Sequence, residues 1–241
     1  MTGVDAQIQS LQRALQAKDQ ALSDFTYTVS HDLKANLRHI KAYLGILQED
    51  MADAMQPEWQ GYLDVVQGAA AKMGQQIDGL VALAAIDRQV VDASALPMPA
   101  LIEEARKHVS PLQAGRDVQW QVANDFPALL GDSNMVRQVW QHLLHNALKF
   151  TRAQTTAQIS VGWLREADAV WCFVQDNGQG FEASQSQQLF KVFQKLHAGE
   201  EGLGLGLALT RKLVERQGGQ VKAHARPGQG AWFAFSLPTV S

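Results

Sequence analysis

The sequence predicts a two-part chain, a long helical hairpin followed by an α/β domain. Two observations predict it. Across the first ninety residues, where Pro57 is the single proline, apolar residues recur at threes and fours. Beyond the stretch VDASALPMP the pattern changes, and short β-branched or aromatic runs alternate with helical ones. With 241 residues, 46% of them hydrophobic and 19% charged, the chain can bury a sizeable core and sits in the ordinary globular range.

The first stripe runs through Ile8, Leu11, Leu15, Leu22, Phe25, Val29, Leu33, Leu37, Ile40, Leu44 and Leu47. It predicts a helix from about residue 5 to about residue 50, with a coiled-coil-like seam at its start. EDMADAMQPE interrupts it, and Pro57 suits the first turn of a new helix. Trp59, Leu63, Val66, Ala70, Met73, Ile77, Leu80 and Ala84 form the second stripe. Two such helices with a short loop make an antiparallel hairpin. A lone hairpin leaves apolar surface in water, so a homodimer joined as a four-helix bundle is expected. Leu33, Leu37, Ile40, Leu44 and Leu47 are the residues expected to need the second copy. VDASALPMP, with two prolines and small residues, reads as a linker, which places the parts at 1–92 and 96–241.

In the second part VQWQV, QISVGWL, AVWCFVQ, QVKAHA and AWFAFSL read as strands. PALIEEARKHV, SNMVRQVWQHLLHNALKF and LGLALTRKLVERQGG read as helices, the last closing on Gly218-Gly219. The result is a layered α/β arrangement of about 145 residues.

Several classes are disfavoured at the outset. No apolar run approaches the ~20 residues of a membrane span, and MTGVDAQIQSLQ has no apolar signal core. The one cysteine, Cys172, cannot form an intrachain disulfide, and in AVWCFV it reads as a small buried hydrophobe. A net charge of −3 gives no support for nucleic-acid binding. The expected setting is cytoplasmic.

Four local patterns carry chemistry. His31 lies two residues from both Val29 and Leu33, so it points roughly 200° away from that seam. It reads as a solvated histidine, or, with Asp32 holding one ring nitrogen, as a nucleophile; Ser30 reads as helix surface. The helix from Ser133 carries a polar stripe of Gln138, His142, His145, Asn146 and Lys149, either a solvated face or a Mg²⁺ and phosphate site. DNGQGF follows a strand and puts Asp176 at its end; it is a tight turn or a ligand loop. Gly202, Gly204 and Gly206 open a helix, where backbone N–H groups can approach phosphate.

The order and spacing of these patterns resemble the transmitter module of a two-component sensor histidine kinase, over nearly the whole chain. SHDLKANL resembles the phosphoacceptor box, and GDSNMVRQVWQHLLHNALKFT the N box with its approach. DNGQGF, LFKVFQKLH and GLGLGLAL resemble the first glycine box, the F box and the second glycine box of a GHKL-type ATP-binding fold. GQGAWFAFSLP resembles its last strand pair. SHDLK with F-x-K-L-H is most similar to kinases linked to phytochrome or PAS sensors.

The resemblance implies a dimerisation and histidine-phosphotransfer hairpin at 1–92 and a catalytic ATP-binding domain at 96–241. It implies that His31 accepts the γ-phosphoryl group of ATP and Asp32 orients it. Asn146 would coordinate Mg²⁺, while Lys149 and His145 face phosphates. Asp176 would accept from the adenine amino group, with Gly178 and Gly180 lining the pocket. Gly202, Gly204 and Gly206 would anchor the lid and phosphates, and Phe190 and Phe193 would pack beside it. The implied partners are a second copy, a response-regulator receiver and an upstream sensor domain outside this chain.

There are departures from the pattern. Asn36 replaces a usual proline, and Ala35 stands where a water-positioning Thr or Asn serves phosphatase action. His142 replaces the first N-box asparagine within the nucleotide-binding set, Leu203 stands where Thr is common, and KLHAGEEGLG makes a short lid. The rival readings are a phosphatase-biased or inactive kinase core and an ATP-independent histidine phosphotransfer protein.

Overall fold

The structure is a computed structural model that describes residues 3–195 and 202–239. It divides into two compact units, Met1–Gln89 and Val90–Ser241. Among the described residues no helix is long and apolar enough to cross a membrane.

The first unit is a hairpin of α1, Gly3–Asp50, and α2, Pro57–Arg88, joined through a single turn at Ala52–Ala54. Pro57 occupies the first turn of α2, where its missing N–H costs nothing. Leu37, Ala70 and Ile77 form the centre of the hairpin. Gly74 permits the close approach, since a Cβ there would lie 3.2 Å from Leu37 Cδ2. Lys34 pairs with Asp78 at 2.6 Å, Gln67 donates to Gln48 at 2.9 Å, and the Arg88 guanidinium sits 5.4 Å from the Tyr27 ring centroid. These partly exposed polar pairs add little stability, so the apolar contacts hold the hairpin together.

The α1 stripe is wider than α2 can cover. Leu37 is buried and Leu44 half-buried, whereas Phe25, Val29, Leu33, Ile40, Tyr43 and Leu47 are exposed. Two expectations change as a result. Leu37 is buried and Leu44 half-buried within one chain, so of the five residues expected to need a second copy Leu33, Ile40 and Leu47 are the exposed ones. Ser30, expected on the surface, is only 3% exposed. It lies seven residues before Leu37 and therefore on the same face. On α2, Trp59, Tyr62, Val66 and Met73 are also exposed. The side chains of Leu15 and Leu22, in the expected coiled-coil seam, lie outside the described residues.

Among the described residues the second unit holds a five-stranded sheet with three α-helices. In chain order come β1 (Ser94–Ala95), α3 (Met98–Val109), β2 (Asp117–Val122), β3 (Leu130–Gly131), α4 (Ser133–Phe150), β4 (Thr156–Glu166), β5 (Ala169–Asp176), α5 (Gly206–Glu215), β6 (Val221–Ala225) and β7 (Ala231–Ser236). The sheet order is β2-β4-β5-β7-β6, with β2 and β4 parallel and the remaining pairs antiparallel. The parallel pair needs a crossover, and α4 supplies it. Val161, Cys172, Val174, Phe233 and Phe235 are buried, and so is Trp140 of α4, whose ring meets Phe235 edge-on at 5.0 Å. Burial pushes the Cys172 thiol up to about 12, so it packs as an inert apolar group.

VDASALPMP is not a free linker. Ser94 and Ala95 pair with Gly131 and Leu130, Leu96 and Met98 are buried, and Asp92 N donates to Asp132 Oδ2 at 3.2 Å. A two-residue strand leaves no period to read, and Pro97, which closes it, equally marks a linker or a helix start.

Candidate functional site

The acceptor candidate is geometrically simple. His31 and Asp32 sit on the outer face of α1 with side chains 68% and 76% exposed. The ring Nδ1 lies 3.4 Å from Asp32 Oδ1, which leaves Nε2 unpartnered among the described residues. Helix α1 continues through Ala35 and Asn36 without interruption.

The other candidates are in the second unit, where α4 is anchored at both ends. Asp132 caps its N-terminus, its Oδ1 accepting from Asn134 N at 2.9 Å and Met135 N at 3.1 Å. Asp132 N in turn donates to Gln217 Oε1 at 2.8 Å. The polar stripe falls as its spacing predicts, with His142, Asn146 and Lys149 half-buried and His145 exposed. Gln138 turns back to the Asn134 carbonyl. The stripe is a cationic patch. Burial first, then His145 and His108, lowers the His142 pKa to about 4. Burial, Lys149, Arg152 and His108 lower that of His145. Both imidazoles are therefore neutral at pH 7, beside the positive charges of Lys149 and Arg152.

Asp176 ends β5 inside the unit. Its Oδ1 accepts from Gly178 N at 2.8 Å and Ala231 N at 3.3 Å. No hydrogen bond reaches Oδ2 among the described residues. Burial raises the carboxyl to about 6 against the lowering effect of those two N–H groups. The glycines around it have no room for a side chain. A Cβ on Gly178 would lie 2.5 Å from the Phe150 carbonyl oxygen, and one on Gly180 (φ +64°) would collide with the Arg226 carbonyl. Gly230 (φ +83°) is equally constrained, by the Asp176 carbonyl. Asn177 clamps the neighbouring strand, donating to Thr156 O at 3.0 Å and accepting from Gln158 N at 2.9 Å.

These loops converge on α4. Gln179 N donates to Phe150 O at 3.3 Å, which ties the DNGQGF loop to the end of the helix that carries Asn146 and Lys149. At the start of α5, a Cβ on Gly206 would lie 3.6 Å from His142 Nδ1. Gly204 (φ +69°) accepts from Phe193 N at 3.0 Å, and Phe193 itself is held at φ +62°. Phe190 is buried, Phe193 partly exposed, and Gly202 exposed with open space around it. The remainder of the expected lid, residues 196–201, lies outside the described residues.

The structure thus brings together His142, His145, Asn146, Lys149, Asp176, Gly178 and Gly180 around α4, with Gly206 beside His142. His31 and Asp32 belong to the other unit. Asp132, Asn177 and Gly230 were not singled out by sequence. The run Gly131-Asp132-Ser133 ahead of a helix was a readable cap signal. A glycine like Gly230, between two strands, looks the same whether it merely turns the chain or lets the backbone pass close to that of Asp176.

Residues 131–241 match the family described as histidine kinase-, DNA gyrase B- and HSP90-like ATPases. The methanogenesis regulatory histidine kinase FilI of Methanothrix harundinacea is 29% identical over 93% of this chain, and the phytochrome-like protein Cph1 of Synechocystis 28% identical over 96%. The chain spans 25% and 31% of the lengths of those two proteins. The adaptive-response sensory kinase SasA of Synechocystis is 36% identical over 50% of this chain and 32% of that protein. Among solved structures, full-length ShkA in complex with AMPPNP matches with a TM-score of 0.64 and 22% identity, covering 90% of this chain and 46% of that one, a likeness of fold. Residues 131–241 thus carry an ATPase domain of this family, and nearly the whole chain aligns with regulatory and phytochrome-like relatives, sensor histidine kinases among them.

Proposed function

We propose that this chain autophosphorylates His31 from ATP and passes the phosphoryl group to an aspartate on a response-regulator receiver. The observation that carries the ATP site is the Asp176 carboxylate. It is buried, which costs free energy, and one of its oxygens is uncommitted at the edge of a glycine cradle. A turn alone would be served by asparagine. A carboxylate acceptor fits the adenine amino group, and the His142, His145 and Lys149 stripe fits the phosphates. The half-buried Asn146 amide, with no hydrogen bond among the described residues, is a hard oxygen ligand suited to a Mg²⁺ that keeps most of its waters. Bound Mg²⁺ would neutralise charge on the phosphates; the protein's own groups position them.

In the transfer, His31 Nε2 forms a bond to the γ-phosphorus while the bond to the ADP oxygen breaks. Asp32 holds the Nδ1 proton and stabilises the resulting imidazolium. The exposure of both residues keeps the acceptor open to an incoming donor and then to a receiver aspartate. A homodimer is part of this reading, supported by the exposed stripes of Leu33, Ile40 and Leu47 on α1 and of Trp59, Val66 and Met73 on α2. So are a cytoplasmic setting and an upstream sensor acting through the start of α1. Ala35 disfavours the phosphatase-biased reading, and the ATPase family match disfavours an ATP-independent relay. The test is labelling with γ-labelled ATP and Mg²⁺: His31→Gln should abolish the label and retain ATP binding. Acid-labile label persisting on that variant refutes the assignment.

A further inference from the structure

The C-terminal end of α4 is satisfied by an unusual set of partners. The last carbonyls of a helix have none within it. Ala147 O accepts from Thr151 N at 3.2 Å and Thr151 Oγ1 at 2.7 Å, and Lys149 O from Arg152 N at 3.4 Å. Phe150 O takes Gln179 N of the DNGQGF loop. Leu148 O takes Arg116 Nη1 at 2.8 Å, and Arg116 Nη2 donates to Thr151 Oγ1 at 3.1 Å. The same Nη1 reaches Leu112 O at 3.4 Å. Arg116 is half-buried just ahead of β2, behind Gly115 at φ +72°. A cation at a helix C-terminus is favoured by the helix dipole. The guanidinium fork also bonds a carbonyl and a hydroxyl together, which a lysine ammonium does less rigidly.

We propose that Arg116 is a positioning residue for the nucleotide phosphates. By holding Leu148 O and Thr151 Oγ1 it fixes the last turn of α4, and so sets Asn146 and Lys149 against the adenine loop. The Phe150 carbonyl of the same turn abuts Gly178 and takes Gln179 N, so the end of α4 is held by both Arg116 and the loop. The proposal rests on the reading of this cleft as an ATP site. It separates two parts of the ligand, because Arg116 acts on the groups that face phosphate and not on Asp176.

The test is titration of the full chain with ATP and with adenosine, for the native sequence, Arg116→Gln, Arg116→Lys and Asp176→Asn. Arg116→Gln should weaken ATP about tenfold while changing adenosine less than about twofold, and Arg116→Lys should recover part of the loss. Equal losses for both ligands, or unchanged ATP affinity, overturn the positioning role. Asp176→Asn should weaken both ligands; if it weakens neither, the ATP-site reading falls and the proposal with it. Should Arg116→Gln not fold, Arg116→Lys, which keeps the charge and loses the fork, is judged by the same ATP-to-adenosine comparison.

Discussion

Replacing Asp176 by asparagine should make the second unit more stable and bind ATP less well. Burial lifts the carboxyl from its ordinary 3.8 to about 6. The folded state therefore disfavours the ionised form, and the sign follows from linkage. The contribution of this one group is most favourable below the ordinary carboxylate range and is lost as pH rises from there through about 6. A shift of about two units corresponds to about 3 kcal/mol above pH 6. Asparagine removes that cost but weakens the bonds from Gly178 N and Ala231 N, so the net gain should be about 1–2 kcal/mol, or about 3–6 °C in the melting temperature. Its Oδ1 keeps those two N–H groups, which leaves its NH₂ in place of the uncommitted Oδ2. A donor then faces the adenine amino donor, and ATP affinity should fall at least about tenfold. The assay is a thermal scan and an ATP titration of both forms at pH 7.5, with scans repeated down to pH 4. The stabilisation should shrink below pH 6 and vanish near pH 4. Unchanged ATP affinity, or a stability difference independent of pH, would refute the reasoning. For the native chain, adenosine, which carries no titrating phosphate, should bind more weakly as pH falls through about 6.

Gly178→Ala should weaken ATP binding and destabilise the unit by about 1–3 kcal/mol, because its Cβ meets fixed backbone at Phe150; calorimetry and titration check both. Ile40→Asp should weaken a homodimer at least about a hundredfold, since the substitution enters a two-fold interface twice, while helicity by circular dichroism is retained. Leu37→Ala should instead destabilise the hairpin by about 2–4 kcal/mol. A monodisperse native mass near 26.5 kDa at micromolar concentration would contradict the four-helix bundle. Ala35 carries no group to hold a water, so dephosphorylation of a phosphorylated receiver should be slow and Ala35→Thr should speed it; fast dephosphorylation by the native chain would assign the water to another residue.

Long, strongly periodic elements were legible in the sequence. The stripe of α4 from Ser133 to Phe150 has one apolar face and clear boundaries, and its polar residues landed together. DNGQGF led to Asp176 because only a few residue types allow that turn. Other features had no local signal. Ser94–Ala95 is too short to alternate. Which half of a wide apolar stripe a partner helix covers is decided by packing, so Leu37 and Leu44 went inward while Leu33, Ile40 and Leu47 did not. Arg116 acts 32 residues from the carbonyl it holds, a separation that no local spacing rule spans.

The most direct measurement is incubation of the chain with γ-labelled ATP and Mg²⁺, followed by acid and alkali treatment of the labelled protein, for the native sequence and for His31→Gln. The native chain should carry label that is lost in acid and kept in alkali, and His31→Gln should carry none although it still binds ATP. Acid-stable label, or acid-labile label that survives the loss of His31, would contradict it.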